Sequence, residues 1–95
     1  MAVYVIADID VLDSAGYDEY RTQVPATIAA HGGRYLARGG ATEVLEGDWS
    51  PKRCAIVEFP DMARFKAWWS SAEYVALRKI RERTTNSHLI VTQGI

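Results

Sequence analysis

Apolar and polar residues alternate along four stretches of this chain, and between them apolar residues recur every three to four positions. The first alternating stretch, 3–11, is rich in β-branched residues and predicts a strand. Asp13 or Ser14 offers a cap for a helix over about 15–31, in which Tyr17, Tyr20, Val24 and Ile28 form one apolar stripe. Gly32-Gly33 ends that helix, and Pro25 is expected to kink it. Residues 34–46 predict a second strand with a bulge at Gly39-Gly40, the turn chemistry of 47–51 follows, and 53–59 predict a third strand. Pro60-Asp61 opens a helix whose packing face carries Met62, Phe65, Trp68 and Trp69. Ser70, with Glu73 three residues later, forms a capping box that restarts a helix to about 84, and residues 88–93 predict the last strand.

The order β-α-β-β-α-β, with right-handed crossovers, predicts an α+β ferredoxin-like sandwich: one domain over 1–95, a four-stranded antiparallel sheet, and helices on one side. Period two then sorts the strand residues. Val3, Val5, Ala7, Ile9, Tyr35, Ala37, Ala55, Val57, Phe59, Leu89 and Val91 face the helices. Tyr4, Ile6, Asp8, Leu36, Arg38, Cys54, Ile56, Glu58, His88 and Ile90 fall on the other face, which mixes isoleucine with unlike charges. Such a face predicts a pocket or a subunit interface. Ile6, Ile56 and Ile90 form a patch that monomers seldom expose, so a second copy is expected to cover it.

Composition removes several classes. A net charge of −1 supplies no basic field for nucleic acid. The strand order is also that of RNA-recognition domains, but Cys54 and Ile56 stand where their third strand needs stacking aromatics. Cys54 is the only cysteine, which excludes an intrachain disulfide, and two separated histidines without clustered carboxylates predict neither metal nor haem. Met1 runs straight into strand-like sequence and no apolar run reaches membrane-spanning length, so a cytoplasmic protein without membrane contact is expected.

Arg38 and Glu58 carry the first candidate chemistry. On neighbouring strands they could clamp a carboxylate ligand, with Glu58 as a base, or form only a cross-strand ion pair. Tyr4 and Asp8 share their face as candidate ligand contacts. His88 is a candidate proton-transfer group because its ordinary pKa is near neutrality, against the plainer reading of a satisfied edge histidine. His31 reads as a helix-end residue favoured by the dipole. Tyr74 and Arg81, seven apart on one helical stripe, either line a pocket mouth or seal the helix against the sheet.

The segments Gly32-Gly33-Arg34-Tyr35-Leu36-Ala37-Arg38-Gly39-Gly40, Leu45-Glu46-Gly47, Glu58-Phe59-Pro60 and Trp68-Trp69-Ser70-Ser71-Ala72-Glu73-Tyr74, in this order, resemble the domain of unknown function 1330 family of the dimeric α/β-barrel superfamily. The resemblance spans nearly the whole chain. It implies a homodimer whose two sheets meet face to face, carries over the motif positions Arg38, Glu46, Glu58, Ser71, Tyr74 and Arg81, and implies no particular activity. Relatives in the superfamily include cofactor-independent monooxygenases, small isomerases and haem-using enzymes. Two readings stand. One is a cofactor-free protein that binds a small organic molecule between the sheets of its dimer, with acid/base or monooxygenase-like chemistry. The other is a noncatalytic interaction module whose polar sheet face only specifies dimerisation.

Overall fold

In the computed structural model, which describes residues 1–95, the elements are β1 (Val3–Val11), α1 (Ser14–Ala30), β2 (Arg34–Arg38), β3 (Cys54–Phe59), α2 (Met62–Trp69), α3 (Ala72–Thr84) and β4 (Thr85–Gln93). The sheet is antiparallel with order β2-β3-β1-β4. This is the ferredoxin-like topology that the apolar pattern predicts.

The period-two rule holds on the two central strands. Val3, Val5, Ala7 and Ile9 of β1, with Ala55, Val57 and Phe59 of β3, are buried against the helices. Tyr17, Tyr20, Val24 and Ile28 of α1 and Phe65, Trp68, Tyr74 and Leu77 of α2 and α3 complete the core. Its centre is aromatic. Trp68 lies 3.9 Å from Tyr74 and 5.2 Å from Phe59, ring centre to ring centre. The indole nitrogen of Trp68 donates to Thr27 Oγ1 at 3.0 Å, joining α2 to α1. Trp69 is only half-buried and lies beneath Arg78, whose guanidinium carbon is 4.4 Å from the ring centre.

Local chemistry sets the helix ends. Asp13 caps α1 by accepting from the Gly16 amide, and Asp61 caps α2 by accepting from the Arg64 amide. The α3 cap is Ser71 rather than the predicted Ser70: Ser71 Oγ accepts from the Tyr74 amide, whereas Ser70 Oγ donates back to Lys66 O and closes α2. At the end of α1 the His31 ring bonds Thr27 O through Nδ1, as its helix-end reading requires. The last strand begins at Thr85, three residues before the predicted start. There α3 passes directly into β4, and Thr84 O accepts from the amides of both Leu12 and Asp13.

Strand β2 departs most from expectation. It ends at Arg38, and its irregularity falls between Tyr35 and Ala37, not at Gly39-Gly40. Arg34 pairs with Glu58 and Tyr35 with Val57, but beyond Leu36 the register moves by one, so that Ala37 pairs with Ile56 and Arg38 with Ala55. Directly paired residues share a face. The bulge therefore carries Arg38 to the helix side and Ala37 to the open side, the reverse of the period-two assignment. Gly39 then turns the chain with φ of +72°, and its amide donates to Cys54 O at 2.8 Å. No helix of the chain is long and apolar enough to cross a membrane.

Candidate functional site

The helix side of the sheet does not close completely. A cavity of about 40 Å³ lies between the sheet, α1 and the start of α3, walled by Val5, Ala7, Ile9, Val24, Ile28, Ala55, Val57, Trp68 and Leu89. Four tyrosines, Tyr17, Tyr20, Tyr35 and Tyr74, also line it, and the only charged residues lining it are Arg38 and Arg53. Tyr20 and Tyr74 bond one another through their hydroxyl oxygens at 3.0 Å. Arg81 adjoins this pair, is only 5% exposed, and leaves its Nε without a partner.

Arg38 is held at the cavity rim by a helix defect. Pro25 has no amide hydrogen, so the Arg21 carbonyl four residues earlier lacks its helical donor. Arg38 Nη2 donates to that oxygen at 2.7 Å, and the guanidinium carbon sits 4.8 Å from the centre of the Tyr35 ring. Gly39 makes room for the second arginine: a Cβ there would lie 2.8 Å from the Arg53 guanidinium.

Burial decides how these tyrosines titrate. Desolvation raises the Tyr17 pKa above its ordinary value, and Arg53, Arg38 and Arg81 pull against the rise without reversing it. Tyr35 is raised by burial with Arg38 opposing, and Tyr20 is raised far more by burial and by the neighbouring Tyr74. All three are neutral hydroxyls at physiological pH. They can donate hydrogen bonds, but none is a ready phenolate base.

The open side of the sheet carries most of the residues singled out from sequence. Tyr4 pairs with Glu58 and Thr92 on adjacent strands, Ile6 with Ile56 and Ile90, and Asp8 with Cys54 and His88. The isoleucine patch therefore exists as predicted, and Ile90 is 62% exposed. The polar residues on it are largely occupied. Glu58 accepts from Arg34 Nε at 2.8 Å, so the proposed pairing of Arg38 with Glu58 is not formed: the bulge separates the two onto opposite faces. Asp8 anchors the loop after β2, its oxygens accepting from Trp49 Nε1 at 3.0 Å and the Lys52 amide at 2.9 Å. The Trp49 bond and the Lys52 amide hold its carboxyl below the ordinary value. Trp49 thereby borders a shallow depression with Ile6, Asp8, His88 and Ile90.

Glu58 and His88 are thus on the open face, Arg38 and Tyr74 line the cavity, and Arg81 is buried beside it. Sequence reasoning took Tyr17, Tyr20 and Tyr35 as packing and did not single out Arg53. The available signal was the concentration of hydroxyls at core positions, where each must find a partner. Glu46, a motif position of the resemblance, lies on the loop after β2, and Ser71 is the α3 cap. No group of three or more histidine, cysteine, aspartate or glutamate side chains is placed to hold a metal ion.

Solved structures share the whole architecture. A protein of unknown function from Rhodopseudomonas palustris superposes with a TM-score of 0.82 over 99% of this chain and 82% of its own, at 18% identity. SnoaB, a cofactor-independent oxygenase from Streptomyces nogalater, gives 0.68 over 99% and 93% at 10% identity. A putative antibiotic biosynthesis monooxygenase from Caulobacter crescentus gives 0.69 over 99% and 90% at 11% identity. Identities this low establish the shared fold and not an activity. The family model described as "Domain of unknown function (DUF1330)" matches residues 2–95, and the chain belongs to that family. No curated protein matches the sequence.

Proposed function

We propose that this protein binds a small organic molecule in the cavity on the helix side of its sheet, and that a second copy of the chain covers the open side. The observation that carries the first part is an apolar cavity lined by four tyrosines and two arginines, with Arg38 drawn to its rim by the bulge in β2. The resemblance to a cofactor-independent oxygenase supports a small-molecule role by analogy of fold. The second part rests on Ile6, Ile56 and Ile90 aligned across three strands with no helix of their own chain over them. Binding is favoured over catalysis because the candidate acid/base groups Glu58 and His88 lie across the sheet from the cavity, and burial moves Tyr17, Tyr20 and Tyr35 away from the phenolate form.

Both parts can be tested separately. In a thermal-shift screen of small carboxylates, alcohols and phenols, at least one compound should stabilise wild type, and Ala55→Leu, which fills the cavity, should abolish the effect. No stabilising compound, or one that acts equally on Ala55→Leu, would remove the cavity assignment. Light scattering at micromolar concentration should give a dimer mass for wild type and a monomer mass for Ile56→Asp, which places an unpaired charge in an apolar interface. An Ile56→Asp dimer would instead leave the protein an interaction surface elsewhere.

A further inference from the structure

The cavity carries a charge imbalance. Arg38 and Arg53 line it and Arg81 adjoins it, yet none of the three pairs with a carboxylate, because the ion pairs of this chain are Arg21–Asp18 and Arg34–Glu58. Arg38 lies over the Tyr35 ring and bonds only a neutral carbonyl, so most of its five N–H donors are open to solvent, and the buried Arg81 Nε has no acceptor. Of the three only Arg81 is withdrawn from water without a counter-charge, while Arg38 is exposed and Arg53 half-buried, so at the rim an arriving anion would gain from their open donors rather than relieve a burial cost. The remaining wall is apolar, so a bare inorganic anion would leave that wall unfilled. The matching ligand has a charged head and an apolar tail.

Volume sets the length of the tail. About 40 Å³ is room for roughly three water-sized groups at 10–15 Å³ each, well below the roughly 150 Å³ cavity known to admit benzene. Three carbons fit; an aromatic ring does not fit without rearrangement. We propose that the ligand is a short-chain carboxylate of about four carbons, its head held between Arg38 and Arg53 at the rim and its tail inside against Ala55, Val57 and Leu89. The tyrosines lining the cavity add hydroxyl donors of a kind that suits an anionic oxygen. This narrows the reading of the cavity as a ligand site and depends on it.

Methyl-resolved NMR titration at constant ionic strength tests it, with butyrate, butyramide, benzoate and inorganic phosphate as probes and the methyl groups of Ala55, Val57 and Leu89 as reporters. Butyrate should shift these methyls saturably and bind at least tenfold more tightly than butyramide, its uncharged counterpart. Arg53→Met should weaken butyrate at least tenfold and leave butyramide unchanged. If Arg53→Met does not fold, Arg53→Lys, which keeps the charge but loses the planar fork, should weaken butyrate by a smaller factor. Equal binding of butyrate and butyramide, or indifference to either Arg53 substitution, overturns the anion assignment and leaves the cavity reading standing. Phosphate equal to butyrate overturns the apolar tail, and benzoate tighter than butyrate overturns the size limit. If no probe, charged or neutral, moves the cavity methyls, the cavity reading fails together with the inference.

Discussion

The two faces of one sheet obey different rules in this protein. On the helix side, β1 and β3 present an unbroken apolar series and the one polar concentration is a ring of tyrosines and arginines around a small cavity. On the open side, isoleucines alternate with Asp8, Glu58 and His88, and those polar groups are spread along the sheet and partly consumed by local bonds. A face rich in charge is therefore not by itself a site. Arginines without carboxylate partners gathered at a cavity are the more discriminating feature, and a single bulge at Leu36 moved Arg38 from the first kind of surface to the second.

The largest expected difference between the faces is in stability. Tyr74 is fully buried, packed on Trp68 and bonded to Tyr20, so Tyr74→Ala should cost about 3–5 kcal/mol in urea unfolding. Ile90→Ala on the open face should instead act through association, making the melting temperature more dependent on protein concentration. Comparable losses that ignore concentration would mean that Ile90 packs within its own chain.

A smaller effect belongs to Arg38. Arg38→Met removes the donor that satisfies the Arg21 carbonyl left open by Pro25, and should cost about 0.5–1.5 kcal/mol. A double-mutant cycle with Pro25→Ala should show coupling, because restoring the amide at position 25 gives that carbonyl its helical donor again. Additivity of the two substitutions would break the link between helix defect and cavity rim.

Next comes the Arg34–Glu58 pair. With Arg34 largely exposed, Glu58→Gln should change stability by no more than about 1 kcal/mol and leave ligand binding in the cavity unaltered. A loss of binding in Glu58→Gln would return Glu58 to the site and contradict the separation of the faces.

The smallest effect is local and depends on pH. The Asp8 carboxyl is held below its ordinary value by Trp49 and the Lys52 amide, so its anchoring of the loop is fully present above the unfolded value near pH 4 and is lost as pH falls through the lower folded value. Trp49 fluorescence should stay flat from neutrality to about pH 4 and change only below it. In Asp8→Ala the acid-dependent component should be missing. A transition in wild type well above pH 4 would mean that another group holds the loop.

Much of the fold was legible in the sequence because it rests on repeated patterns. The alternation on β1 and β3, the Tyr17-Tyr20-Val24-Ile28 stripe and the Trp68-centred helix face each involve several residues that agree, and the isoleucine patch followed from them. The site was less legible because it depends on single residues. One extra residue in β2 reverses every later side chain, and nothing in Tyr35-Leu36-Ala37 marks that insertion as a glycine pair would. The predicted bulge three residues later was placed on chemistry that instead serves a left-handed turn at Gly39. Arg53 was invisible for a related reason: its place beside the cavity depends on how residues 39–53 return to β3, and no periodic pattern encodes that path. Tyr74 and Arg81 do lie on one buried helical stripe, but Arg81 Nε finds no acceptor and Tyr74 lines the cavity, so the stripe is not a plain seal of helix against sheet.

The central claim is that the ligand sits on the helix side and the partner copy on the open side. Crystals grown with a compound that stabilises wild type and fails on Ala55→Leu would test it most directly. Electron density for the compound is predicted among Val57, Leu89, Arg38 and Arg53, with the open faces of two chains in contact across Ile6, Ile56 and Ile90. Density for the compound between those isoleucines, with the helix-side cavity unchanged, would contradict the account.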